Sequence, residues 1–235
     1  MKKRHYAMLL GLAAAGALLM NQNASAASFT FNLDTEFSGG QAPGGPAPWL
    51  SATFTDVTPG TVSLTLSASP PGGAGLTGTE NVDGWYFNVD TPFVGNLSFS
   101  PGAPAALPSG GTLTSIQQGT NAFKADGDGL YDILFNFGTG TGHGFGPGDT
   151  LTETITSSVA GLTAASFDEL SAPAGGHGPF FTAAHVQNTT GTGSGGSGWI
   201  APTGTSSVPD GASTAMLLGI TLLGIEGLRR RFRIA

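Results

Sequence analysis

Between Ala27 and Ser207 the chain offers no helical hydrophobic period, and this constrains its fold more than any other feature. Apolar and polar residues instead alternate in short runs, each closed by glycine, proline or another turn residue. Such runs are Ser28–Leu33, Leu50–Val57, Thr61–Ser67, Gly84–Val89, Phe93–Ser100, Tyr131–Phe137, Thr150–Ser158 and Phe180–Val186. In Thr61–Ser67 the side chains of Val62, Leu64 and Leu66 share one face. In Tyr131–Phe137 the core face is expected to hold Tyr131, Ile133, Phe135 and Phe137. One short helical turn is expected within Val159–Leu170. Strands of this length between Gly/Pro turns predict an all-β body, an antiparallel β-sandwich of jelly-roll-like type. The 39 glycines and 15 prolines follow no triplet, which excludes a collagen-like chain, and 15 phenylalanines supply a core. Ser38–Pro48 and Pro70–Gly78 read as turn-rich insertions. Thr189–Gly198 reads as a flexible spacer before a last strand at Trp199-Ile200.

Charge is sorted along the chain. Lys2, Lys3 and Arg4 open it, Arg229, Arg230, Arg231 and Arg233 nearly close it, and Lys124 alone lies between. The stretch 27–207 sets this one lysine against 13 acidic residues. An acidic body excludes a nucleic-acid partner, and basic ends suit an exported protein whose termini meet a membrane.

The N-terminus has the three parts of a secretory signal peptide over residues 1–26. A basic start precedes the apolar run Met8–Met20, and Ala24-Ser25-Ala26 gives the small-x-small site at Ala24 and Ala26. The apolar run is too short to span about 30 Å of hydrocarbon, so the Sec machinery and signal peptidase are the expected partners, with cleavage before Ala27. No cysteine is present, so the exported body (27–200) must stand without disulfides.

After a tether at 201–207, the C-terminus is again tripartite: Val208-Pro209-Asp210-Gly211, an apolar segment 212–228, then the arginine cluster 229–233. The apolar segment is expected to form a single transmembrane helix, stopped by Arg229, Arg230, Arg231 and Arg233 on the cytoplasmic side. This order resembles the PEP-CTERM sorting domain, and Val208–Gly211 is most similar to its VPDSG variant, with Gly211 where the variant has serine. The resemblance implies an exosortase substrate that passes through the inner membrane to the cell surface or extracellular matrix. It also implies an exopolysaccharide-producing setting.

The sharpest motif in the body is Asp126-Gly127-Asp128-Gly129-Leu130-Tyr131-Asp132. Asp126, Asp128 and Asp132 can converge on one hard cation, Ca²⁺, although the spacing is not that of an EF-hand; the alternative is a solvated Asp-Gly turn. His143, His177 and His185 have no preformed metal-site spacing. Trp49, Trp85, Tyr86 and Trp199 are candidates for a sugar-stacking platform, but adjacent Trp85 and Tyr86 must face opposite ways. Asp149, Glu153, Asp168 and Glu169 are the carboxylates available for glycoside hydrolysis. No GxSxG, P-loop, HExxH or thiol nucleophile is present. The leading expectation is therefore a non-enzymatic structural or adhesive surface protein. A carbohydrate-binding module of the matrix, with or without Ca²⁺, comes second, and a secreted hydrolase last.

Overall fold

The computed structural model describes residues 27–126 and 129–203. Thirteen strands are found among them, in chain order β1 (Ser28–Leu33), β2 (Thr35–Glu36), β3 (Leu50–Thr58), β4 (Thr61–Ser67), β5 (Asn81–Phe87), β6 (Leu97–Ser100), β7 (Ala105–Ala106), β8 (Thr112–Lys124), β9 (Gly129–Phe137), β10 (Thr150–Ser157), β11 (Ala172–Pro173), β12 (Thr182–Gln187) and β13 (Ser197–Ala201). The smaller sheet has the order β1-β3-β4-β10-β6. The larger runs β2-β13-β12-β5-β9-β8-β7, with β11 beside β9. Every pairing between these strands is antiparallel.

Alternation decides what lies between the sheets. Phe29, Phe31 and Leu33 of β1, Val62, Leu64 and Leu66 of β4, and Trp85 and Phe87 of β5 all enter one buried cluster. The sheets meet through aromatic edges: Phe54 with Phe87 at 5.7 Å and Phe99 with Phe135 at 5.6 Å. The expected helical turn is a short 3-10 segment, Ala164–Phe167.

Several expected boundaries move, each for a local reason. The strand expected at Gly84–Val89 runs Asn81–Phe87, because the Val89 amide donates to the Asp132 side chain rather than to a ladder. The run Phe93–Ser100 begins as a strand only at Leu97, since Pro92 opens a 3-10 turn at Thr91–Phe93. Tyr131 is buried away from the main core, in a second cluster with Phe37, Ala125, Ala183 and Ala201. β8 escapes sequence reading because of its thirteen residues only Leu113 is buried, so no alternation marks it. The spacer Thr189–Gly198 is tied down by Gly191 N to Ala42 O and Ala42 N to Thr192 O. The body also extends beyond residue 200: Ala201 belongs to β13, and Thr203 bonds Asp34 through both its amide and its hydroxyl.

Loops are fastened by carboxylates. Glu80, fully buried, accepts from the amides of Gly44 (2.7 Å), Thr77 (2.8 Å) and Thr190 (3.0 Å), and from the hydroxyls of Thr77 and Thr190. A Cβ on Gly44 would come within 2.5 Å of the Thr190 hydroxyl, so only glycine lets this loop approach. Asp149 accepts from Ser109 N, Ser109 Oγ and Gly146 N. Glu153 occupies a core-facing position of β10 between Leu151 and Ile155. One of its oxygens accepts from Gly102 N at 2.8 Å, and the other has no partner among the described residues.

The solvent side of the smaller sheet is a field of hydroxyls. Its outward positions are Ser28, Thr30 and Asn32 on β1, Thr53 and Thr55 on β3, with Ser51 of the same parity buried, and Thr61, Ser63, Thr65 and Ser67 on β4. They continue with Thr150, Thr152, Thr154 and Thr156 on β10, and Ser98 and Ser100 on β6. Cross-strand hydroxyl pairs join Ser28 to Thr55 and Thr30 to Thr53, both at 2.8 Å.

Two outcomes are expected. Glu80→Ala strands five donors inside the loops and should cost roughly 3–5 kcal/mol in denaturant unfolding, with Glu80→Gln losing less because one acceptor oxygen remains. An alanine variant as stable as the wild type would remove Glu80 from its role. Burial pushes the Glu153 carboxyl above its ordinary value, against the Gly102 bond that lowers it. Its folded pKa is raised, so its contribution to stability is full below the ordinary glutamate value and declines as pH rises through the folded value. Glu153→Gln should flatten that decline in unfolding midpoints measured across pH, and an unchanged slope would contradict the assignment.

Candidate functional site

The outward face of the larger sheet gathers the polar and aromatic side chains best placed to bind something. Trp85 turns inward and donates its indole N–H to Thr182 Oγ1 at 3.0 Å, so Tyr86 turns outward. Trp199 on β13 lies opposite His185 on β12, with ring centroids 4.8 Å apart, and Tyr86 reaches Trp199 at 5.3 Å. The Tyr86 ring lies over Gly84: a Cβ there would sit 3.0 Å from the ring, so glycine is needed beneath it. A register shift between β5 and β12 leaves Asp83 unpaired in the ladder. Its carboxylate meets His185 Nδ1 at 2.8 Å and accepts from Gln187 Nε2. Burial first, and the Asp83 charge second, push the Tyr86 hydroxyl up to about 12.

A second polar concavity of about 190 Å³ lies where the β5 end, β9 and the segment after Phe167 converge. Asn88, Asp90, Asn121, Asp132 and Glu169 line it. Asp132 accepts from Asn121 N at 2.8 Å and from Val89 N at 3.4 Å. The Glu169 carboxyl is raised by burial, then by its hydrogen bond with Asp90, then by the charges of Asp90, Asp168 and Asp132. The Nδ2 of buried Asn88 has no partner among the described residues.

Among the described residues singled out in the sequence, the fold brings some together and separates others. Asp126 is exposed in the turn before β9, Asp128 lies outside the described residues, and the oxygens of Asp132 already accept two amides. Among the described residues no group of three His, Asp or Glu side chains is placed to hold a metal ion. His143 and His177 are exposed in loops, and only His185 joins an organised cluster. Trp49 and Trp85 are core, while Tyr86 and Trp199 are brought together, their rings tilted by 53°. Asp149 and Glu153 serve the fold, while Glu169 borders the concavity. Asp83 and Asp90 were not recognisable: their partners are distant in sequence, and neither sits in a local motif.

Ala24, Ala26, the segment Val208–Gly211, the apolar stretch 212–228 and the four arginines lie outside the described residues. No helix among the described residues is long and apolar enough to cross a membrane. At the sequence level, a VPDSG-CTERM motif matches residues 207–232. It is a PEP-CTERM-like sorting signal, and it implies export and passage through a membrane. No curated protein and no solved structure matches the chain.

One outcome follows for Tyr86. In an alkaline titration followed by phenolate absorbance it should ionise near 12, and Asp83→Asn should lower that value only in part, because burial remains the larger cause. The raised value means its contribution to stability is intact below about 10 and is lost as pH climbs through 12. Ionisation of Tyr86 at the ordinary value would contradict its packing.

Proposed function

We propose that this chain is an exported cell-surface or extracellular-matrix protein with a non-enzymatic structural or adhesive role, delivered through an exosortase-like processing enzyme. The observation that carries this reading is the sorting motif at 207–232, behind a body that holds itself together without cysteine. The body reads as a β-sandwich, jelly-roll-like in its long-range antiparallel pairings. Two of the carboxylates available for hydrolysis, Asp149 and Glu153, are engaged as acceptors within the fold, which supports the non-enzymatic reading. The grouping of Trp199, Tyr86, His185 and Asp83 favours a second reading, a carbohydrate-binding module within an exopolysaccharide matrix.

Sorting is tested in a host that carries an exosortase, with intact mass and fractionation as the readouts. Pro209→Ala with Asp210→Ala should leave the C-terminal segment attached. Replacing Arg229, Arg230 and Arg231 by serine should mis-sort or release the protein, because the stop-transfer charge is lost. Normal cleavage in the first variant would sink the exosortase reading, and normal location in the second would sink the stop-transfer role.

A further inference from the structure

The outward face of the five-stranded sheet has an unusual composition for an acidic protein. Its positions on β1, β3, β4, β6 and β10, up to the bulge at Asp56–Thr58, carry Ser and Thr with one Asn and no Asp, Glu, Lys or Arg. The body nevertheless has 13 acidic residues, so charge is kept off this face and placed elsewhere. A solvated sheet face commonly carries charged residues, which keep it soluble and block edge pairing.

Register turns the composition into a lattice. Thr53, Thr65 and Thr152 form one row across β3, β4 and β10, and Thr55, Ser63 and Thr154 form the next. Rows recur about 6.8 Å apart along the strands, and the strands lie about 4.8 Å apart. Thr65 and Thr152 approach within 3.4 Å through their hydroxyls, and Thr30–Thr53 and Ser28–Thr55 pair at 2.8 Å. These bonds hold β-branched side chains, already stiff at χ1, in fixed rotamers. Oxygens and methyls therefore repeat at set intervals.

A hydroxyl gains little by exchanging water for a single ligand hydroxyl, since one hydrogen bond replaces another. Such a face can bind well only where many weak contacts are made in register by a partner that repeats as the sheet does. The occupant must also be uncharged, because nothing here pairs with charge, and the absence of aromatic rings argues against stacking on sugars. Ordered water meets all three conditions. Strongly hydrated charges would disrupt a water lattice, and this face has none.

We propose that the Thr/Ser face of β3, β4 and β10 is an ice-binding surface, with the lattice oxygens of ice as its ligand. A sheet twists by about 20–25° per strand, so a planar lattice can be matched over the central strands only. The expected activity is accordingly adsorption and slowed recrystallisation, not a deep depression of the freezing point.

The purified full-length chain is tested by partition into slowly grown ice and by crystal coarsening in frozen sucrose solution. Wild type should enter the ice severalfold more than a control protein of similar size and should slow coarsening. Thr65→Lys with Thr152→Lys should lose both effects while its melting temperature stays close to wild type. Thr152→Lys alone, at an exposed position, serves if the double variant fails to fold. Exclusion of wild type from ice, or equal partition of the lysine variants, would overturn the proposal. Adsorption to crystalline cellulose or chitin without any effect on ice would overturn it as well, in favour of a polysaccharide lattice.

Discussion

The structure depends on the buried carboxylate that accepts backbone amides. Glu80 gathers Gly44, Thr77 and Thr190 from three separated loops, and Glu36 collects the amides of Ser38, Gly39 and Gly40. Asp56 takes the amide of Ala164, and Asp34 that of Thr203. At fully buried Glu80 these bonds satisfy donors that burial would otherwise strand, and charge-assisted bonds are about twice as strong as neutral ones. The body has no cysteine, and Lys124 is its only lysine or arginine, so these carboxylates carry the long-range fastening that disulfides or ion pairs supply in other exported domains.

Glycine is the complement of that device. A carboxylate can reach an amide inside a loop only where the neighbouring backbone comes close, as Gly44 does beside Thr190. The same residue type has the largest conformational entropy to lose on folding. A glycine-rich chain without such acceptors would have too little gain per ordered loop to stay folded. The acidic charge and the glycine content, which look like separate features of the composition, therefore act together.

Strands with one buried face were legible in the sequence: Ser28–Leu33 and Thr61–Ser67 occupy their expected bounds because alternation there coincides with burial. β8 was not, since a strand with only Leu113 buried among thirteen residues leaves no period to read. Tyr131 shows a different limit. Its parity within the strand pointed to the main core, yet it sits with Phe37 and Ala201 from the two ends of the domain, a contact no local pattern announces. The site followed the same rule. Trp199 was identifiable as an aromatic on a last strand, but Asp83 gained its meaning only from a register shift against β12. The Asp126–Asp132 motif was conspicuous in sequence, whereas Asp132 is drawn by strand pairing toward Val89 and Asn121.

The two sheets divide the chemistry of the surface. The larger sheet turns outward a mixed face, where Asp83, His185, Tyr86 and Trp199 pack against one another and a register shift re-aims a charge. Such a face suits a single ligand with donors, acceptors and an apolar side. The smaller sheet has no bulge between Ser51 and Asp56 of β3 or between Thr61 and Ser67 of β4, and its hydroxyls stay in uninterrupted rows. Regularity has no value for recognising one small molecule, because a few well-placed groups suffice for that. It matters only toward a partner that is itself periodic. The contrast between an irregular charged face and a regular uncharged one therefore argues that the two sheets meet different kinds of partner, although one core supports both.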